Sequence, residues 1–187
     1  MEGASFEERI IGAVRSNNND ILVELHADKS DEDKAKIINT TTDPVGRTLL
    51  HLASLYGNYD VLYSLLDQDN VEIDPLDRLE GNTPLHFAVK FSAGDEPVGK
   101  EVVNLLIECG ADVNIKNKAG KKPIDIARAS KLSEITFLLV GAQYASEMGA
   151  EAGADTVSGD VDGAADFGED DEVEDGELSG EDEEEKA

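Results

Sequence analysis

Three segments of the chain repeat one residue pattern at intervals of 35 and 39 residues, and this repetition constrains the fold more than any other feature. Residues 46–53 read GRTLLHLA, residues 81–88 read GNTPLHFA, and residues 120–127 read GKKPIDIA. Leucine-rich runs bounded by Gly, Asn or Asp follow each segment, as expected for short helices separated by turns. A period of this length predicts a stack of small helical units, none of which closes a core by itself.

The stretch Thr83-Pro84-Leu85-His86, followed by Gly-Ala-Asp-Val-Asn at 110–114, resembles the ankyrin-repeat family. The resemblance implies an all-α ankyrin-repeat solenoid of about four helix-turn-helix units, counting the caps, with β-hairpin-like loops. The expected domain covers residues 1–146, with a cap at about 5–42 and repeats at about 43–76, 77–115 and 116–145. The second repeat has six extra residues within 92–101, which we predict to lie between its paired helices.

Individual residues support this assignment. Pro84 and Pro123 stand where a first helical turn tolerates a missing N–H, and the threonine before Pro84 is suited to cap that helix. Asn17 stands where Gly57 stands in the next unit, so both are predicted to adopt the left-handed conformation of a turn. The second helices are expected to present leucines to adjacent repeats: Leu65, Leu66, Leu105, Leu106, Leu138 and Leu139.

The formal charge of −26 is concentrated at the C-terminus. Residues 147–187 contain 18 acids and one lysine, a net charge of −17, with few large apolar side chains. Such a segment buries too little apolar surface to offset the entropy of ordering, so we predict a disordered acidic tail. A chain this acidic is also expected to repel phosphate backbones and anionic lipids, which argues against direct nucleic-acid or membrane binding.

Residues that suggest chemistry have simpler structural interpretations. His51 and His86 occupy the fourth position of the signature, and the ankyrin resemblance implies that they hydrogen-bond loop backbone and tie one repeat to the next. His26 is predicted to be solvated. Cys109 is the only cysteine, so no intrachain disulfide and no cysteine metal cluster is expected. Without a phosphate loop, nucleophile elbow or dinucleotide motif, the sequence predicts no catalysis, no cofactor and no metal site.

The resemblance also places the binding surface on the concave face formed by the loop tips and the first helices. Leu55, Tyr56 and Phe91 are the more telling positions there, because a module without partners gains solubility from polar residues at these places. Burial of Phe91 by the 92–101 segment is the alternative. Several basic residues fall on this face, which predicts a locally positive groove. The predicted partner-binding residues are Val45, Arg47, Leu55, Tyr56, Arg78, Leu79, Glu80, Asn82, Lys90, Phe91, Lys118 and Ala119.

These features favour a non-catalytic adaptor, monomeric on its own, that binds a protein partner through its concave face. The chain also resembles small fungal ankyrin-repeat proteins with acidic C-terminal tails, which implies an alternative role as a dedicated escort of a basic protein, such as a ribosomal protein. A regulator or assembly factor of a larger enzyme complex is a third possibility. The tail could engage a client, fold back on the groove or only solubilise the chain, and Ser179 lies in an acidic context that favours phosphorylation. A reducing cytoplasmic or nuclear location is expected.

Overall fold

The computed structural model describes residues 5–149, and its regular elements over this range are all helices. They pair as α1 with α2, α4 with α5, α6 with α7 and α8 with α9, while α3 stands between the first two pairs. The all-α architecture of four helix pairs is therefore confirmed. The bounds are α1 Phe6–Arg15, α2 Asn19–His26, α3 Asp31–Thr40, α4 Leu49–Tyr56, α5 Tyr59–Leu66, α6 Pro84–Ser92, α7 Glu96–Glu108, α8 Pro123–Ala129 and α9 Ser133–Gly149.

Most of the helices begin at the polar or proline residues that the sequence places there. Pro84 and Pro123 lie in the first turns of α6 and α8, as predicted. Ser5 and Glu8 form a reciprocal capping box at α1, with the Glu8 N–H donating to Ser5 Oγ at 3.2 Å and the Ser5 N–H donating to Glu8 Oε2 at 2.7 Å. Ser30 accepts a similar bond at the start of α3, a helix that the sequence pattern did not separate from the cap.

Three of the four turns inside the helix pairs are left-handed at a single residue. Asn17 and Gly57 have φ of +50° and +66°, which confirms the predicted conformation, and Lys131 at φ +59° occupies the same place in the last pair.

The 92–101 segment does not form the loop that the sequence predicted. Helix α7 already begins at Glu96, because Asp95 Oδ1 accepts a hydrogen bond from the backbone N–H of the third helical residue and a proline stands in the first turn. The extra residues therefore lengthen a helix.

A continuous apolar core runs through the stack. First helices pack on first helices in the order α1, α4, α6 and α8, and second helices pack on one another in the order α2, α5, α7 and α9. Leu65, Leu106 and Leu139 are fully buried between units, whereas Leu66 and Leu138 are only half-buried. Alanines at the close approaches of the first helices are completely buried, namely Ala53, Ala88 and Ala127. Because every unit shares its core with a neighbour, no unit buries its apolar face by itself.

Two sequence predictions concern the C-terminus. Helix α9 continues to Gly149, so the first three residues assigned to the acidic tail are helical. The rest of the predicted disordered tail, together with Ser179, lies outside the described residues. Among the described residues, no helix is both long and apolar enough to cross a bilayer.

Candidate functional site

The loops that precede α4, α6 and α8 end in three tight turns, which we call the first, middle and last tips: residues 43–47, 77–82 and 117–121. One side chain organises each tip, at equivalent positions that sequence reasoning did not single out. Asp43 Oδ1 accepts hydrogen bonds from the Val45 and Arg47 N–H groups, each at 3.0 Å. Asn117 Oδ1 accepts two bonds of the same kind, also at 3.0 Å, within its own tip. In the middle tip, Asp77 accepts three backbone N–H groups and is 3% exposed. The tips are therefore rigid turns, and the signal available in the sequence was an Asp or Asn three or four residues before the glycine of each repeated segment.

A backbone hydrogen bond of 2.9 Å closes each tip, from the N–H of Asp43, Asp77 or Asn117 to the carbonyl of the residue four or five positions later. In the first tip an isolated antiparallel bridge joins Thr42 to Thr48. These closures give the loops the hairpin-like form that the sequence predicted.

The first tip neutralises its own cation. Arg47 donates from Nε and Nη2 to Asp43 Oδ2 at 2.9 and 2.7 Å. Burial by itself would raise the pKa of Asp43, but the hydrogen bonds and charge of Arg47 lower the pKa of this carboxyl below its usual value. The Arg47 side chain is 19% exposed and is held in this pair, so it adds little to the positive potential expected of the face.

His51 and His86 connect consecutive repeats. His51 Nδ1 accepts the Thr48 N–H at 3.0 Å, and its Nε2 lies 2.9 Å from the Asn82 carbonyl oxygen of the next repeat. His86 Nδ1 accepts a backbone N–H at 3.2 Å, and its Nε2 lies 3.0 Å from the Lys121 carbonyl oxygen. An acceptor at Nδ1 places the proton on Nε2, which then donates to the carbonyl.

This arrangement confirms the structural role inferred for the two histidines and leaves neither ring nitrogen available to a metal. Burial lowers the pKa of both rings below the ordinary value of 6.5, although the bonds to the carbonyls oppose the shift. Both rings are therefore neutral near pH 7. Among the described side chains of residues 5–149, we find no group of three or more His, Cys, Asp or Glu residues that could hold a metal ion. The side chain of His26 is not among those the structure describes.

The tips are tied to one another as well as closed. The aliphatic part of Arg78 lies over Gly46 of the preceding tip, and Lys118 lies over Gly81 in the same way. Lys118 Nζ donates to the carbonyl oxygens of Arg78 and Leu79, and its backbone N–H donates to the Glu80 carbonyl at 2.8 Å. The long basic side chains therefore serve first as clamps between tips.

The middle and last tips, with helices α6 and α8, enclose an open cleft of about 540 Å³. Lys90 crosses it to Glu80, with Nζ 2.6 Å from Oε2 and 5.3 Å from the centroid of the Phe87 ring. Hydrogen bonds and charge from Lys90 lower the pKa of the Glu80 carboxyl, with Asn82 contributing. We call the cleft between the middle and last tips the tip cleft. It is lined by Leu79, Glu80, Lys90, Asn117, Lys118, Ala119, Lys121, Ile126, Ala129 and Ser130.

The tip cleft brings together five of the twelve predicted partner-binding residues: Leu79, Glu80, Lys90, Lys118 and Ala119. Leu79 is 67% exposed at the rim of this cleft. Asn82 and Arg78 adjoin it, the first fully buried beneath Glu80 and the second exposed.

The remaining predicted residues lie toward the first repeat, outside this cleft. Val45 is exposed at the first tip, and Leu55 is half-buried on α4. Tyr56 is 42% exposed, with the Arg15 guanidinium 6.0 Å from its ring centroid. Phe91 is half-buried, and its ring packs on Gly57 of the preceding repeat.

Comparison with known proteins agrees with this geometry. A family model described as "Ankyrin repeats (3 copies)" matches residues 10–117. Ankyrin repeat-containing protein YGL242C of Saccharomyces cerevisiae is 38% identical over 176 residues, which cover 91% of this chain and 97% of that protein.

Two larger proteins match over shorter stretches. Alpha-latrocrustotoxin-Lt1a of Latrodectus tredecimguttatus is 38% identical over 78 residues, 42% of this chain and 5% of the toxin. Ankyrin repeat and SOCS box protein 5 of Homo sapiens is 45% identical over 57 residues, 30% of this chain and 16% of that protein. The chain therefore belongs to the ankyrin-repeat family.

Proposed function

We propose that this protein is a non-catalytic adaptor whose tip cleft binds a protein partner. Ankyrin repeats indicate a protein-protein interaction module, and the tip cleft is the location that we propose for its binding site. The observation that carries the proposal is Leu79, which projects 67% exposed from a turn held rigid by the buried Asp77. An exposed apolar side chain on a preorganised turn is the arrangement that anchors interfaces at low entropic cost.

The chemistry of the tip cleft indicates the kind of surface it would bind. Lys118 and Lys121 stand at the rim, and among the described residues Lys121 forms no salt bridge. Ile126 and Ala129 provide an apolar wall. A partner segment that combines an apolar side chain with one or two carboxylates would fill this cleft and pair with its lysines.

The absence of catalysis is part of the proposal and rests on how the reactive residue types are used. His51 and His86 are neutral, buried and bonded at both ring nitrogens. Burial raises the pKa of the Cys109 thiol, with the neighbouring Glu108 adding to the shift, so the thiolate is disfavoured at pH 7. Neither the two described histidines nor this cysteine is prepared for nucleophilic or acid–base chemistry.

Quantitative affinity capture tests the adaptor role. Full-length protein would be compared with a Leu79→Ser/Lys121→Glu variant and with Leu76→Ser, a control leucine that is 56% exposed three residues earlier but lies outside the cleft. We expect mass spectrometry to detect specific partners with the wild type and with Leu76→Ser that are lost with the cleft variant. Equal recovery with all three proteins would contradict the proposal.

An escort of a basic client is the second candidate function, favoured by the net charge of −17 over residues 147–187. The same capture with residues 150–187 deleted distinguishes it. A client of the acidic segment is lost on deletion at low salt and unaffected by Leu79→Ser/Lys121→Glu, whereas a tip-cleft partner shows the reverse pattern. An inhibited or assembled enzyme complex among the cleft-dependent partners would instead support the regulator role.

We further propose a cytoplasmic or nuclear location, supported by a single cysteine that a reducing compartment keeps as a thiol. Fluorescence microscopy of the tagged full chain tests it, and accumulation in a secretory compartment would contradict it.

A further inference from the structure

Helix α9 carries a stripe of exposed apolar side chains that no part of the described chain covers. Phe137 is 79% exposed, Val140 43%, Tyr144 62% and Met148 56%. Their spacing of three or four residues places all of them on one side of the helix, opposite the fully buried Ile135 and Leu139. We call these four residues the α9 stripe.

The stripe arises from the position of α9 at the end of the stack and from its length. Val140 stands where Leu66 and Ile107 stand in the earlier second helices, and those residues are partly buried against the apolar core. No described unit follows α9. In addition, α9 has 17 residues against 8 in α5, so Tyr144 and Met148 extend the apolar surface by two turns. A terminal unit that only capped the stack would present polar residues here.

Acidic groups border the α9 stripe. Between α7 and α9 lies a cleft of about 530 Å³ lined by Glu96, Glu101 and Glu134, with Lys100 as its one cation and Leu138 at its floor. Lys100 pairs with Glu134, Nζ to Oε2 at 2.6 Å, which leaves two carboxylates in excess. Glu134 and Leu138 precede and follow Phe137 on the helix, so the acidic cleft forms one edge of the stripe. Beyond Gly149 the sequence continues with the acidic residues of 150–187.

We propose that the α9 stripe is a second docking surface, and that its occupant is an amphipathic segment of a protein partner with apolar residues on one side and Lys or Arg on the other. The apolar side would cover the stripe, and the basic side would meet the excess carboxylates of the cleft. This proposal is independent of the tip cleft, because the two surfaces share no residue.

Charge favours a basic amphipathic partner over three other possible occupants of the α9 stripe: a second copy of the chain, the chain's own residues 150–187 and an anionic membrane. A second copy would bring another chain of formal charge −26 against an acidic edge, and the chain's own residues 150–187 carry the same sign as that edge. An anionic membrane would be repelled in the same way. A basic amphipathic partner is attracted both by the apolar area and by the field.

Fluorescence anisotropy with defined peptides tests the proposal on the full chain. The probe is a labelled helical peptide about 18 residues long with Leu on one side and Lys on the other. A peptide of the same composition with the Leu residues distributed around the helix measures attraction by charge alone, and a Leu/Glu peptide measures attraction by apolar area alone. We expect the Leu/Lys amphipathic peptide to bind at least about tenfold tighter than either control.

The variant Phe137→Ser/Tyr144→Ser should weaken binding of that peptide about tenfold or more. The matched control is Tyr59→Ser/Tyr63→Ser, which removes two aromatic rings that are 38% and 53% exposed on α5 and should leave binding unchanged. Far-UV circular dichroism checks that both variants fold, and NMR shift changes at Phe137 and Tyr144 in the wild type provide a second readout.

Equal affinity for the amphipathic and distributed Leu/Lys peptides would overturn the proposal, as would unchanged binding by Phe137→Ser/Tyr144→Ser. Sedimentation that showed a dimer of the wild type, dissociated by that variant, would assign the stripe to a second copy instead. Vesicles containing anionic lipid should not sediment the protein, and stripe-dependent sedimentation would assign the stripe to a membrane.

Discussion

Replacing Gly57 by alanine should destabilise the stack through two separable effects. Gly57 has φ of +66°, a conformation that costs a residue with a Cβ about 1–2 kcal/mol. An added Cβ would also lie 2.2 Å from Cζ and 2.3 Å from Cε1 of Phe91, so the ring must move, at a further cost of about 1–3 kcal/mol. We expect the free energy of unfolding to fall by about 2–5 kcal/mol in total.

Urea denaturation followed by circular dichroism measures the loss, and the chain offers a matched control. Gly120 has φ of +74° but no atom within 4 Å of an added Cβ, so Gly120→Ala should cost only the conformational part, about 1–2 kcal/mol. In a Phe91→Ala background, Gly57→Ala should likewise cost about 1–2 kcal/mol, a coupling of about 1–3 kcal/mol between the two positions. Equal losses for Gly57→Ala and Gly120→Ala, or no coupling with Phe91, would refute the reasoning.

Three further predictions follow from buried polar groups and the core. The folded-state pKa values of His51 and His86 are lowered below 6.5, so the unfolded chain binds more protons than the folded chain as the pH falls through this value. The free energy of unfolding should therefore decrease on acidification from about pH 7.5 to 5.5, with a slope of up to about 1.4 kcal/mol per pH unit per histidine. Urea titrations should show a flatter slope for His51→Gln/His86→Gln, together with lower stability at about pH 7.5. Leu106→Ala, at a fully buried position, should cost about 2–5 kcal/mol in the same assay, whereas Leu79→Ala should cost almost nothing. Asp77→Ala removes the acceptor of three backbone N–H groups and should cost about 3 kcal/mol, with faster amide exchange over residues 78–82.

Each of these predictions has a contrary result. If the free energy of unfolding of His51→Gln/His86→Gln depends on pH as steeply as that of the wild type, groups other than these histidines control the loss of stability at low pH. Similar losses for Leu106→Ala and Leu79→Ala would mean that the apolar core is not where the helix pairs meet. Unaltered exchange in Asp77→Ala would remove the argument that the tip is preorganised.

The sequence predicted the helix pairs because they depend on local, repeated patterns, and the ankyrin resemblance implied the histidine ties between repeats. Pro84 marks a helix start in any context, and His51 follows its Thr48 by three residues, so their roles repeat with the period. The left-handed turns at Asn17 and Gly57 were predictable for the same reason.

The charge of the concave face was harder to predict because it depends on which groups meet in three dimensions. Arg47 and Lys90 were both counted toward a positive groove, but the first is paired with Asp43 and the second with Glu80. Glu80 and Lys90 are ten positions apart in the sequence, and this separation gave no indication that the two would meet across a cleft. Sequence reasoning therefore overestimated the positive charge of this face.

The exposed stripe on α9 could not be read from the pattern alone. Phe137 and Val140 look like the core residues of any leucine-rich second helix, and their exposure follows only from the lack of a described unit beyond α9. The segment 92–101 shows the converse case, since Asp95 and a proline started a helix where added length suggested a loop.

Hydrogen–deuterium exchange of the full chain, measured with and without a partner recovered in the Leu79-dependent capture, tests the central claim most directly. The tip-cleft account predicts that the partner slows exchange within residues 77–82 and 117–121, and that Leu79→Ser/Lys121→Glu abolishes this protection. Protection confined to other parts of the chain, with residues 77–82 and 117–121 unchanged, would contradict it.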